Sequence, residues 1–228
     1  MTNNAWNSPY PDADGELLIG STGARPVAST LTAGTNVTIV NSAGGAEIQT
    51  SPIDDFVVVQ RDTASNTAAI DYLCRISDFE VFYLIGNNTQ PVTSGGLGIK
   101  LSTDGGATFD STASNFQGVG WEVDDGASTT HLDDSALTAA KLQIYGSTTA
   151  NAGVDANEVC SFIMTIWNPS DTNWTKCVSY SVYIDNGGQH QTQYWASFHK
   201  STTAINAMRL QQSTGNISQG EFVLYGAS

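Results

Sequence analysis

Apolar runs of strand length, separated by polar or glycine-rich turns, succeed one another along most of the chain. They occupy residues 56–60, 69–76, 80–85, 97–101, 118–123, 142–145, 162–167, 178–184, 194–198, 205–210 and 222–225. Runs of this kind bounded by turn residues predict strands, and about ten strands are enough for two packed sheets. We therefore expect an all-β fold in which residues 52–228 form a jelly-roll-like antiparallel β-sandwich.

Three of these runs carry a more specific prediction. The run Phe222 to Tyr225 is apolar, and an apolar strand left at a free edge would promote aggregation, so we expect it to close the sheet built by the upstream strands. The runs Phe56 to Val59 and Val81 to Ile85 are apolar on both faces. This pattern is typical of strands in the interior of a sheet or at a contact between subunits.

Residues 17–51 predict a smaller module. Val37 and Ile39 alternate with polar residues, and Ile48 follows after the turn at Gly44 and Gly45, which indicates a hairpin with one apolar face. A lone hairpin is marginal in water, and no second hairpin of this pattern is evident nearby. We therefore expect this module to pack against copies of itself. Pro52 marks the domain boundary, because proline ends a strand there and the character of the chain changes.

Residues 1–16 show neither strand nor helix periodicity and include Pro9 and Pro11, which predicts an extended arm. Trp6 and Tyr10 are large apolar groups that a solvated tail does not need. We interpret them as anchors that dock the arm on a partner chain.

Composition narrows the classes of function. Eight Lys plus Arg against 22 Asp plus Glu give a net charge of −14, which repels phosphate backbones and disfavours nucleic-acid binding. No apolar run approaches the roughly 20 residues of a membrane-spanning helix, and residues 1–4 lack the features of a signal peptide, so we expect a soluble protein made in the cytoplasm. The three cysteines, Cys74, Cys160 and Cys177, lie in apolar runs and are interpreted as buried free thiols.

The stretch from Ser102 to Phe109 fits the pattern Ser-x-Asp-x-Gly-x-Thr-aromatic, which resembles the Asp-box of sialidases and other β-propeller proteins. We expect Ser102, Asp104, Gly106, Thr108 and Phe109 to form a tight turn in which the carboxylate accepts bonds from backbone amides and the ring lies beneath the turn. A propeller would repeat this motif in each blade, and the chain has one copy. The motif is therefore predicted to stabilise the fold and not to catalyse a reaction.

The segment from residue 122 to 141 is open to two interpretations. Its five acidic residues and His131 could hold Ca²⁺ or could form a solvated acidic surface, and the second is preferred because their spacing is not that of an EF-hand. These residues are Glu122, Asp124, Asp125, His131, Asp133 and Asp134. Residues 133–141 could also form one or two helical turns with an acidic start.

Aromatic residues concentrate between positions 167 and 198, namely Trp167, Trp174, Tyr180, Tyr183, Tyr194, Trp195 and Phe198. Most of them are interpreted as core residues, with sugar stacking on Trp174, Tyr194 and Trp195 as the alternative. His190 and His199 have no companion ligands with zinc-site spacing, and no nucleophile motif is present, so we nominate no catalytic residue, metal or cofactor.

Two stretches resemble bacteriophage proteins. Residues 17–41, with Leu17-Leu18-Ile19-Gly20, Pro26-Val27-Ala28 and Val37-Thr38-Ile39, resemble the N-terminal module of phage tail-fibre and head-fibre proteins. Residues 204–226 resemble the closing strands of β-sandwich domains in phage fibre and capsid-decorating proteins.

The resemblance implies a structural protein of a virion, either a short homotrimeric fibre or a decoration protein of head or tail that is used in host attachment. Leu18, Val37, Ile39 and Ile48 would then form the trimer contact, and Trp6 and Tyr10 would attach the arm to other virion proteins. The alternatives are a carbohydrate-binding module that recognises a host glycan and, less favoured, a polysaccharide depolymerase.

Overall fold

The computed structural model describes residues 16–21, 24–30, 37–42, 45–50, 56–73, 76–126, 129–134, 141–146 and 151–227. The chain divides into two compact units, Met1–Asp54 and Asp55–Ser228. The boundary expected at Pro52 lies outside the described residues, as do the predicted anchors Trp6 and Tyr10.

The first unit contains two hairpins. Strand β1 (Glu16–Ser21) pairs with β2 (Ala24–Thr30), and β3 (Val37–Ser42) pairs with β4 (Gly45–Thr50), both antiparallel. The β3–β4 hairpin is the predicted one, and it sets Ile39 directly opposite Ile48. The β1–β2 hairpin was not predicted, because its arginine and proline interrupt the alternation of apolar and polar positions. The statement that no second hairpin lies nearby was therefore wrong.

The described residues of the second unit form twelve strands. They are β5 (Val57–Thr67), β6 (Ala69–Tyr72), β7 (Val81–Pro91), β8 (Leu97–Ser102), β9 (Phe116–Asp124), β10 (Thr129–Asp134), β11 (Leu142–Tyr145), β12 (Cys160–Trp167), β13 (Thr175–Ile184), β14 (His190–His199), β15 (Ala207–Gln212) and β16 (Ile217–Ala227). Within the described residues, the helical segments are two short 3₁₀ turns, Ile76–Asp78 and Ala113–Asn115.

These strands form two antiparallel sheets. The large sheet has eight strands in the order β10-β9-β14-β13-β12-β7-β16-β5, and the small sheet has four in the order β11-β8-β15-β6. Both contribute fully buried side chains to one core: Phe82, Leu84, Met164 and Leu224 come from the large sheet, and Leu97, Ile99, Leu101, Met208 and Leu210 from the small sheet. The predicted all-β, two-sheet architecture is confirmed, whereas the finer jelly-roll topology stays a prediction.

The closing strand β16 lies between β7 and β5 in the large sheet, so its apolar backbone is paired on both sides as expected. Its predecessor β15 lies in the small sheet, between β8 and β6. Strand β7 is interior, as predicted from Val81 to Ile85. Strand β5 is an edge strand, so of the two alternatives for Phe56 to Val59 the sheet interior is wrong and the contact between subunits stays a prediction. Phe56 and Val58 are 55% and 41% exposed.

Strand β10 corrects the helix prediction for residues 133–141. Asp133 and Asp134 pair with Val119 and Gly118 of β9, so the acidic pair continues a strand instead of starting a helix. The cause is long-range pairing, which overrides local helix preference. Residues 135–140 lie outside the described part of the chain.

The cysteine prediction is confirmed for two of the three residues. Cys160 and Cys177 are buried free thiols. Burial raises the pKa of the Cys177 thiol to about 12 and raises that of Cys160 well above its ordinary value. Both thiols are therefore protonated and unreactive near neutral pH. Cys74 lies outside the described residues.

Candidate functional site

The Asp-box turn directly follows β8 and has the predicted hydrogen bonds. The Asp104 carboxylate accepts three hydrogen bonds: from the Thr108 amide (2.9 Å), the Thr108 hydroxyl (2.6 Å) and the Ser102 hydroxyl (2.7 Å). Ser102 in turn accepts a bond from the amide of Gly106, which has a φ of 86°. The Thr108 bonds are the main cause that lowers the pKa of Asp104 to about 2. The arrangement holds a loop and presents no reactive group.

Phe109 connects this turn to the small sheet. The guanidinium of Arg209 on β15 lies 4.1 Å from the centre of the Phe109 ring, a cation–π geometry. Arg209 also donates two bonds to Asp71 on β6, at 2.6 and 2.7 Å. Lys100 is in register with Arg209, so the outer face of the small sheet has a charged row across β8, β15 and β6.

An open cavity of about 420 Å³ lies beside the same turn, between residues 101–115 and the end of β14. His199 at its wall is almost fully buried, and its Nε2 lies 2.8 Å from Asp110 Oδ2. Asp110 also accepts bonds from the Asn115 side chain and the Thr112 amide, both at 2.8 Å. Partial burial acts to raise the pKa of Asp110, but these hydrogen bonds outweigh it and hold the pKa below its usual value.

The His199–Asp110 pair does not have the geometry of a nucleophile–base–acid triad. Because His199 Nε2 contacts the aspartate, a catalytic His199 would use Nδ1 to contact the nucleophile. That Nδ1 has no hydrogen-bond partner among the described residues. Ser201, which also lines the cavity, is engaged in a local turn with Thr203. The pair therefore ties residues 110–115 to β14.

Only part of the predicted sugar-stacking set is exposed. Trp174 is 46% exposed and Tyr194 is 38% exposed, whereas Trp195 is 4% exposed, so its inclusion as a stacking residue is corrected. Trp195 points inward because side chains alternate along β14. Trp174 precedes β13 and is six residues from Tyr180, the partner of Tyr194, so it lies roughly 20 Å along the sheet from Tyr194. The three residues do not form one site.

A different set of residues comes together on the large sheet. Six residues in register form a continuous row across the strands β9, β14, β13, β12, β7 and β16, and we call it the central outer row: Trp121, Tyr194, Tyr180, Ile163, Ile85 and Val223. The first five are between 37% and 51% exposed. The Trp121 and Tyr194 rings are 6.0 Å apart, which places them on the same face. The prediction that most of the seven aromatic residues between positions 167 and 198 lie in the core was wrong. Tyr180 and Phe198 are exposed, as are the stacking candidates Trp174 and Tyr194, whereas Tyr183 and Trp195 are buried.

Polar side chains occupy the inner face of the same strands. Ser179, Gln191, Gln193 and Ser197 are all buried, between 0% and 4% exposed. Gln193 is central, because its side-chain amide donates to Glu122 and its carbonyl oxygen accepts bonds from the Gly146 amide and the Trp195 indole. Strand β11 packs over this part of the sheet, and Ser179 donates a bond to its backbone at Gln143. The usual distribution, apolar inward and polar outward, is reversed here.

The six acidic and histidine residues of the 122–134 segment do not converge on a metal site. Glu122 is 6% exposed and points into the core, so it is neither a solvated surface residue nor a member of an exposed loop. Asp125 is exposed on the turn after β9. Among the described residues, no group of three or more His, Cys, Asp or Glu side chains could hold a metal ion.

The predicted trimer contacts are described only in part. Ile39 is half-buried and Ile48 is 62% exposed, and they form a direct cross-strand pair. Leu18 lies on β1 opposite Ala28, and Val37 lies on β3 opposite Thr50. The side-chain environments of Leu18 and Val37 lie outside the described residues.

The chain matches no protein-family model, no curated protein and no solved structure. Within the described part of the chain, none of the helical segments has the length and apolar character needed to cross a bilayer.

Proposed function

We propose that this chain is a structural protein of a bacteriophage virion, a short homotrimeric fibre or a decoration protein of head or tail that takes part in host attachment. The observation that carries the proposal is the Ile39–Ile48 pair on the β3–β4 hairpin. A two-stranded sheet is marginal on its own, and Ile48 is 62% exposed. The hairpin gains stability when that apolar side chain is covered by other chains.

The sequence resemblance to phage fibre proteins indicates a virion as the assembly. Residues 17–41 resemble a phage fibre module, and the sandwich that follows has the all-β architecture expected of the outer domain of such a protein. Trp6 and Tyr10 in the preceding arm are residue types that dominate interface energies. In this proposal they attach the trimer to a neighbouring virion protein.

The proposal is tested by incorporation into particles. A chain lacking residues 1–16 and a Trp6→Ala chain are supplied in trans to a phage that lacks the gene, with Asn4→Ala as the matched control in the same arm. The deletion is expected to abolish incorporation, Trp6→Ala to reduce it, and Asn4→Ala to leave it unchanged, as measured by quantitative peptide mass spectrometry of purified particles. Normal copy number for the deletion chain would overturn the attachment role of the arm.

Carbohydrate binding is the second candidate, and one observation favours it. Trp121 and Tyr194 present two neighbouring exposed rings, on which the apolar face of a sugar could stack. Their in-register neighbours His131 and Tyr180 can form hydrogen bonds with sugar hydroxyls, whereas the flanking Val119, Val123 and Ala196 cannot. Virion assembly is preferred because the sequence resemblance also supports it. Glycan-array binding that is lost in Tyr194→Ala would reverse this preference.

A further inference from the structure

We propose that the outer face of the large sheet is a self-association surface, which docks against a second copy of this chain. The proposed virion role assigns assembly to the β3–β4 hairpin, and this inference goes beyond it because it concerns the sandwich unit alone. It starts from the central outer row, which crosses six strands without a charged residue.

The next row along the same strands is also uncharged, and it contains, in register, Val119, Ala196, Val178, Thr165, Tyr83 and Tyr225. The central outer row ends at His131 on β10 and at the exposed Arg61 on β5, and Lys176 and Glu221 lie in the flanking rows on opposite sides of the two central rows. The whole chain carries a net charge of −14, so copies repel each other over most of their surface. A neutral apolar face is where two copies can approach.

The area of the face fits one partner of a stable protein interface. Six strands about 4.8 Å apart and two neutral rows about 6.8 Å apart span about 400 Å², and the two flanking rows extend the face to about 800 Å². Each partner in a standard-size interface buries about 800 Å² with a polar rim, so the neutral rows fit its core and the rows of Lys176 and Glu221 fit its rim. The composition also fits, because interface cores are enriched in Tyr and Trp and depleted of charge.

The small sheet provides an internal comparison. Its outer face carries Lys100 and the ion pair between Arg209 and Asp71, the kind of polar side chains that a solvated sheet face normally has. Around β13 and β14 the large sheet has the opposite distribution, with serine and glutamine side chains on the inner face and Val and Tyr side chains on the outer face. An outer face of that composition is stabilised when it is covered.

The test is sedimentation equilibrium of the full chain from about 1 to 100 µM, a range that resolves ordinary protein–protein affinities. Ile163→Glu places a charge in the middle of the face, and Gln211→Glu places the same charge on the outer face of the small sheet as the matched control. Ile163→Glu is expected to raise the dissociation constant about tenfold or more, because an unpaired carboxylate would be buried in the interface, and Gln211→Glu is expected to leave it unchanged. Tyr180→Thr, which keeps a good strand former, is expected to weaken association in the same direction.

Circular dichroism and thermal unfolding establish that each variant is folded. Ile48→Glu distinguishes association through the sheet face from association through the β3–β4 hairpin. If Ile163→Glu and Tyr180→Thr both associate like the wild type while Ile48→Glu dissociates, the inference is overturned and the hairpin trimer stands. If the face variants dissociate and Ile48→Glu does not, the inference stands and the hairpin trimer is overturned. A wild-type chain that is monomeric at the highest concentration overturns the inference, including when that monomer binds a glycan.

Discussion

Ser179 and Tyr180 are consecutive residues of β13, and the serine is fully buried while the tyrosine is 50% exposed. Ser179 is accommodated inside because its hydroxyl donates a 2.8 Å bond to the Gln143 carbonyl of β11. Tyr180 lies outside because side chains alternate along a strand. The same arrangement holds around β13 and β14, where Ser179 and Gln193 face the interior and Tyr180 and Tyr194 face outward.

The Asp104 carboxylate is expected to stabilise the fold in a pH-dependent manner. Its folded-state pKa of about 2 lies below the ordinary 3.8, so its contribution is present above about pH 4 and is lost as the pH falls towards 2. Asp104→Ala should therefore lower the melting temperature at pH 7, and the difference from wild type should shrink at about pH 2.5. Asp78→Ala is the control at another carboxylate. An equal difference at both pH values would contradict the carboxylate's role.

Lys141 is expected to make stability rise with pH in the alkaline range. Its side chain is fully buried and donates a 2.6 Å bond to the Gly96 carbonyl. Burial, with a smaller effect from nearby Lys100, lowers its pKa from 10.5 to about 7. Between these values the unfolded chain binds a proton that the folded chain lacks, so the free energy of unfolding increases with pH.

Lys141→Met should remove that increase, because the buried side chain then has no proton to release. Urea unfolding at about pH 7 and about pH 9.5 measures how the free energy of unfolding changes with pH. Lys176→Met, at an exposed lysine, is the control and should keep the pH dependence of wild type. A Lys141→Met chain whose stability rises as steeply as that of wild type would show that another group is responsible.

Gly86 on β7 is required by the packing of the core. A Cβ atom at this position would overlap the Phe162 ring of β12. Gly86→Ala is therefore expected to lower the free energy of unfolding by about 1 to 3 kcal/mol, the usual cost of overpacking. The double variant with Phe162→Leu should recover part of the loss relative to the sum of the single changes. Strict additivity in chemical unfolding would argue against the contact as the cause.

Ile48 is expected to determine the oligomeric state of the hairpin module. Ile48→Glu puts a charge on the face that carries Ile39, and it should shift the full chain from trimer towards smaller species in sedimentation equilibrium. Val40→Glu is the matched control, because Val40 lies on β3 of the same hairpin, on the face opposite Ile39, and is 44% exposed. If both variants dissociate equally, the two faces of the hairpin are not distinguished and the predicted contact is wrong.

Local patterns were the part of the structure that the sequence could predict. The Asp-box bonds join residues at most four positions apart, and β8 and β11 were located nearly to the residue from their apolar runs. Strand β10 was missed because only its pairing with β9 makes Asp133 and Asp134 extended. The outer row was missed for a different reason. Tyr194 and Trp195 are adjacent aromatic residues, so alternation along the strand puts one of them inside and the other outside. The rule that apolar residues point inward does not predict which one, because Gln193 and Ser197 occupy the interior of this strand.

The central claim is that the chain is part of a virion, and cryo-electron microscopy of purified particles, combined with peptide mass spectrometry of the same fraction, tests it most directly. The account predicts peptides of this chain in the particle fraction and a threefold projection on head or tail into which the twelve-stranded sandwich fits. Particles that carry no such density, with all of the chain recovered in the fraction free of particles, would contradict it.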